Sequence, residues 1–186
     1  MQVIHIDKKR EVTREEAGYL IIDATEQPVL RTEKGQKKYY SGKKKQHTLK
    51  TQYIISPEGK IRSVSRSYPG KTHDFNMYKD QKNRDRFHGV PKKTDRGYQG
   101  IQKYDVNAEI PFKKPKNGKL SPEQKLYNHR LSQKRIKVEN VIRETKIFKI
   151  LSDTYRNRRK NHCIKTNIIA GIVNMKTEKR NMKNAA

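Results

Sequence analysis

Three acids stand where solubility alone would not put them. Asp23 closes the apolar run Tyr19-Leu20-Ile21-Ile22, so a rigid element holds a carboxylate that can still emerge at a sheet's rim. Asp95 lies in Thr94-Asp95-Arg96-Gly97-Tyr98-Gln99-Gly100, a loop whose glycines allow close approach of backbone or ligand. Glu139 falls within an expected helix. Such a set suits hard-cation chemistry. Mg²⁺ prefers oxygen donors, takes one or two carboxylates and keeps positions for water and phosphate oxygens. Two ions about 3.5–4 Å apart can activate a water or a DNA 3′-hydroxyl and stabilise the leaving oxygen, with no protein nucleophile. Spacing alone leaves other roles open. Asp23 can cap a turn, and Glu139 can pair with Arg135 and Arg143 as i, i+4 neighbours. Asp74, after Pro69-Gly70 and His73, reads as a helix N-cap, an accessory ligand or the true second acid.

The Glu139 helix carries its own signal. At about 100° per residue, Arg135, Arg143 and Lys146 fall on one narrow stripe with Glu139. Leu131, Val138, Val141, Ile142 and Phe148 flank it on one side, and Ile136, Ile147 and Leu151 on the other. That pattern predicts a helix packed into the protein that presents one acid and several cations to a site, the cations holding phosphates.

The elements that must position these residues follow from local patterning. The unbroken run at 19–22 predicts a strand covered on both faces. Residues 31–47 read as a basic loop, which by itself is usually solvated. Leu49, Thr51, Tyr53 and Ile55 alternate, Pro57-Glu58-Gly59 turns, and Lys60 to Ser65 returns, which predicts a hairpin. A short helix is expected over 74–81 and a brief strand over 110–112. Ser121-Pro122-Glu123 opens a helix, with Ser at the N-cap and Pro at the first helical position, running with a break to Leu151. A final helix is expected over 167–175, with a frayed polar tail from Lys176. This order is compatible with an α/β fold.

Composition narrows the function classes. In 186 residues there are 45 Lys and Arg against 19 Asp and Glu, a net charge of +26, which calls for a polyanion. Hydrophobic residues make up only 31% and Trp is absent, so the core is modest. Cys163 is the only cysteine, which excludes an intrachain disulfide and a multi-cysteine zinc site. Without a long apolar run or a signal peptide, the expectation is a cytoplasmic, nucleoid-associated protein without a membrane partner. A basic structural RNA-binding protein also fits the charge. Clustered acids argue against it, since acids in a nucleic-acid groove repel phosphate unless metal intervenes.

Five stretches together resemble DDE transposases of insertion-sequence family five, relatives of the eukaryotic Harbinger-type elements. They are Ile22-Asp23-Ala24-Thr25-Glu26; Tyr39 to Lys45 with His47-Thr48; Gly70 with His73-Asp74; Asp95 through Gly97-Tyr98-Gln99-Gly100 to Ile110-Pro111 and Lys113-Lys114-Pro115; and Arg135 through Glu139 to Phe148, followed by Tyr155 to Arg159. The resemblance implies a ribonuclease-H-like mixed sheet flanked by helices over 19–175, between a lead-in at 1–18 and a polar tail at 176–186. It implies Asp23, Asp95 and Glu139 as catalytic and metal-binding acids, two Mg²⁺ ions (or Mn²⁺), and cleavage and strand transfer at transposon ends. It also implies a homodimer on DNA. Lys37, Lys38, Lys43, Lys44, Lys45, Arg135, Arg143, Lys146, Arg156, Arg158 and Arg159 are the expected DNA contacts. Ser132 occupies the family's tyrosine position, and Val90-Pro91-Lys92-Lys93-Thr94 replaces the usual apolar strand before the second aspartate. Arg96 and Glu144-Thr145 also depart from the pattern. The family's N-terminal helix-turn-helix region is missing from this sequence, which points to a partner supplied by a split reading frame. The alternative is an inactive DNA-binding remnant.

Overall fold

The computed structural model describes residues 13–31, 33–81 and 84–185, so most of the expected lead-in lies outside the described residues. Helix α1 (Arg14–Ala17) feeds strand β1 (Leu20–Pro28). Leu20, Ile21 and Ile22 are fully buried, which is what an unbroken apolar run requires of a central strand. Next come α2 (Gln36–Tyr39), β2 (Tyr40–Ser41), β3 (Gln46–Ile55), β4 (Ile61–Val64), β5 (Tyr68–Pro69) and α3 (Asp74–Lys79). After them follow β6 (Lys92–Lys93), β7 (Ala108–Glu109), α4 (Pro122–Lys146), α5 (Lys149–Ser152) and α6 (His162–Ala185). The sheet order is β2-β3-β1-β6-β7, with β4 and β5 also paired to β3. β1 runs antiparallel to β3 and parallel to β6, so the sheet is mixed.

Helices cover both faces. On one, Ile21, Tyr53, Ile55 and Ile61 pack against Val138 and Val141 of α4, Leu151 of α5, and Ile169, Ala170 and Val173 of α6. On the other, Leu20, Ile22 and Ile54 pack against Tyr78, Phe87, Tyr98 and Ile101. The result is a mixed sheet flanked by helices, consistent with the ribonuclease-H-like class.

Local signals account for most elements. The expected hairpin forms as β3 and β4, closed by Gly59 at φ 88° and by the Ser56 amide on the Lys60 carbonyl. Ser121 caps α4 in a full capping box with Gln124. The anticipated break falls at Phe148, whose extended backbone separates α4 from α5.

Four readings need correction. The brief strand is Ala108–Glu109 and not 110–112, because those two residues register with Lys92 and Lys93 while Pro111 has no N–H to give a ladder. The stretch from Lys176 is not frayed. It extends α6, with Thr177 buried, Glu178 paired to Lys60 and Arg180 to Glu144. The second apolar flank of the Glu139 stripe is not packed: Ile136 is 49% and Ile147 68% exposed. Leu151 is buried, but on α5, where extrapolation at 100° per residue across the break no longer holds. His73, not Asp74, is the N-cap of α3.

Candidate active site

Parallel pairing of β1 with β6 sets Ile21 beside Lys93. Two residues further along each chain come Asp23 and Asp95; β1 continues to Pro28, so Asp23 lies within its strand and not at its end, beside the point where Asp95 leaves the carboxyl end of β6. Open α/β sheets bind ligands at such ends. Asp95 also N-caps a single 3₁₀ turn, its Oδ1 accepting the Gly97 amide at 2.8 Å. That turn folds Gly97 against the first turn of α3. A Cβ on Gly97 would lie 2.5 Å from Asp74 Oδ2 and 2.9 Å from Asp95 Oδ1, so only glycine lets these carboxylates come this close.

The three aspartates act on one another electrostatically. Burial lifts the Asp23 carboxyl to about 6; Asp95 and Asp74 push the same way, while Arg135 and the Ala24 amide oppose them. Arg135 reaches Asp23 from α4 at 3.6 Å. Lys50, opposite Glu26 in the sheet, lies 3.5 Å from Glu26 and 3.0 Å from Asp74. Glu26 in turn accepts the Thr48 hydroxyl at 2.7 Å. Beneath the cluster Tyr98 is fully buried with its hydroxyl unpaired. Burial raises its pKa well above the ordinary value, with Asp74, Asp23 and Asp95 adding to the rise. Glu139 stands one turn beyond Arg135 on the same face of α4, with its side chain exposed. Among the described residues, no three of His, Cys, Asp and Glu close into a group able to hold a metal ion. Arg135 and Lys50 are the counter-charges in place beside Asp23 and Asp74.

Sequence reasoning missed Lys50, Glu26 and Tyr98. The alternation that puts Leu49 and Thr51 on one face puts Lys50 on the other, but only the β1–β3 register places it opposite Glu26.

Eight of the expected DNA contacts fall into two groups that the fold joins, and Arg135, Arg143 and Lys146 lie apart from them on α4. Lys37 and Lys38 lie on α2 and Lys43, Lys44 and Lys45 on the following turn, all exposed. Arg159 stacks 4.3 Å from the Tyr39 ring centre, with Lys38 on the same ring at 5.4 Å. This brings the segment containing exposed Arg156 and Arg158 to the basic loop. Lys146 donates to the Glu26 carbonyl at 3.0 Å; burial first, then Lys44, lowers its pKa. Arg143 is exposed and donates to Asn140.

Buried His162 anchors this region. Gln27 gives its amide N–H groups to the carbonyls of Ile150 and Asp153, which turns its Oε1 toward His162 Nε2 at 2.7 Å. Nε2 therefore donates, and Nδ1 accepts from Ser67 at 2.6 Å. Burial, then Lys165, lowers the His162 pKa to about 4, so the ring is neutral at physiological pH.

A family model described as DDE superfamily endonuclease matches residues 22–174. The chain belongs to that family. This transposase domain is similar to the probable transposase for insertion sequence element IS702 of Microchaete diplosiphon, with 44% identity over 156 residues. That match covers 83% of this chain and 56% of the relative, so the chain spans little more than half the length of the curated protein it matches. No solved structure matches. Asp23, Asp95, Glu139, Asp74 and Arg135 all fall inside the matched segment of the transposase domain. No helix among its described residues is long and apolar enough to cross a membrane.

Proposed function

We propose that this domain cleaves and joins DNA phosphodiester bonds at transposon ends, with Asp23, Asp95 and Glu139 as its catalytic carboxylates. The observation that supports this best is that parallel pairing of β1 with β6 brings Asp95, just past the end of β6, alongside Asp23 of β1, close enough for its charge to raise the Asp23 pKa. The donor set suits a hard cation: all oxygens, with one carboxylate destabilised by burial and a glycine that lets Asp74 approach Asp95. Asp23, Asp95 and Glu139 would hold Mg²⁺ or Mn²⁺, which when bound supplies Lewis acidity at the scissile phosphate and its attacking oxygen. Arg135 steadies Asp23, Lys50 steadies Asp74 and Glu26, and the basic loop with the 156–159 segment binds flanking phosphates. The reading extends to a homodimer on DNA and to a helix-turn-helix partner that selects the ends.

A second reading, a non-catalytic DNA-binding remnant, draws on one feature. The strand leading to Asp95 is reduced to two buried lysines. A nicking assay with Mg²⁺ on transposon-end DNA, run beside a binding assay, separates the two. Glu139→Gln keeps the side chain's shape but removes the charge a hard cation needs. It is expected to lose at least about 100-fold in cleavage, as metal-site substitutions do, while binding DNA as well as the parent. Arg135→Ala should lower both. Cleavage by the Gln variant at the parental rate would make Glu139 a structural ion-pair residue. A parent that binds but never nicks, with the partner region supplied, would establish the remnant.

A further inference from the structure

Beyond the carboxylates, a cleft of about 780 Å³ is lined by Arg31, Gln36, Lys37, Tyr40, Gly42, His47 and Lys71. Its size is that of a small-ligand site. Its floor is aromatic. Tyr40 and His47 face each other across the β2–β3 pair, ring centres 5.7 Å apart and tilted 72°. An edge-to-face contact leaves ring surface uncovered, and Tyr40 is 42% exposed although it begins a strand. Its rim is cationic. Arg31, Lys37 and Lys71 are exposed, and the lining contains no acid. The Lys71 amide on the Lys38 carbonyl and the Arg31 Nε on Gln36 draw the three cations toward α2. Gly42 opens the cleft, since a Cβ there would meet nothing within 4 Å.

We infer that this cleft binds an unpaired DNA base, stacked on Tyr40 with His47 at its edge, and with its flanking phosphates on Arg31, Lys37 and Lys71. The inference rests on the reading of the chain as a DNA-processing domain. A free ring surface within a ring of cations matches the two parts of a single-stranded nucleotide, a flat π-face and an anionic backbone. Duplex phosphate would use the cations and leave the rings idle.

The test needs neither cleavage nor metal, so its failure is distinct from failure of the catalytic reading. In EDTA, the full chain is titrated with a 20-mer strand, the matching duplex, and the duplex carrying one extra unpaired 2-aminopurine. The parent should bind the two unpaired substrates more tightly than the duplex and quench the 2-aminopurine. Tyr40→Ala should weaken binding to the unpaired substrates about tenfold, the range of one base stack removed, leave duplex binding unchanged and abolish the quench. Unchanged duplex binding by Tyr40→Ala rules out misfolding as the cause, and Tyr40→Phe, which keeps the ring, should keep both properties. Lys37→Gln and Lys71→Gln should weaken all three complexes alike. An unchanged ratio of unpaired to duplex binding in Tyr40→Ala overturns the inference and leaves phosphate contacts only. Tighter binding of the RNA strand of the same sequence overturns DNA as the occupant.

Discussion

Asp23 carries most of the site's electrostatic strain. Its folded pKa, about 6, lies above the ordinary value of 3.8, so the folded chain binds the extra proton between those values. The stability it contributes is complete below the lower value and lost as pH rises through the upper one. At pH 7.5 the ionised, half-buried carboxylate therefore costs ~3 kcal/mol. Asp23→Asn should raise the metal-free protein's unfolding free energy in urea by up to that amount at pH 7.5, and by little at pH 4. Mg²⁺ should stabilise the parent and not the Asn variant. An equal or lower stability for Asp23→Asn at pH 7.5 would refute the assignment of strain. Asp23 was legible in the sequence because a charge ending an apolar run is visible in the linear order, although the strand itself continues to Pro28. The approach of Asp74 to Asp95 was not, because it depends on a 3₁₀ turn folding Gly97 onto α3.

At the scale of elements, β6 is the least conventional part. Its two residues are lysines, and Lys92 is 1% exposed. Its ammonium pairs with Asp105 and donates to the Phe87 carbonyl, while burial pulls its pKa down against Asp105. A buried pair of this kind is costly to break and adds little over apolar packing. Lys92→Met alone should destabilise the domain by about 3–5 kcal/mol, because Asp105 is left without its partner. Lys92→Met with Asp105→Leu should be neutral or stabilising. Denaturant midpoints of the two variants decide the matter, and equal losses would show that the pair itself stabilises the domain over apolar packing, against this expectation. Two charged residues in a row do not read as a strand, so in the sequence β6 is visible only as a shortened approach to Asp95. Elements whose signals are local, such as the β3–β4 hairpin and the Ser121 cap, were legible. The break at Phe148 carries Leu151 onto another helix, so a helical wheel drawn through it misplaces that residue.

The whole molecule combines a net charge of +26 with two basic segments that meet around Tyr39. Charge was legible from composition, but the meeting of loop and C-terminal segment was not, since it depends on α6 being anchored through His162 to Gln27. DNA affinity should fall steeply with salt. Neutralising Lys43, Lys44 and Lys45 together to Gln should reduce the log–log slope by up to about 3, roughly one for each phosphate that no longer meets a lysine. Fluorescence anisotropy from low to moderate salt measures it. A salt-insensitive complex, or an unchanged slope, would exclude this surface.

The bonds from Asn174 to the amide and carbonyl of Ile61 span 113 residues of chain. During synthesis at about 5–20 residues per second, Ile61 of the β3–β4 hairpin leaves the ribosome roughly 6–23 s before Asn174 of the last helix that covers it. Until α4 and then α6 follow, Tyr53, Ile55, Ile61 and Val64 form an apolar surface without its full cover. A nascent polypeptide of this kind is a natural client for chaperones that shield apolar segments until the last helix arrives.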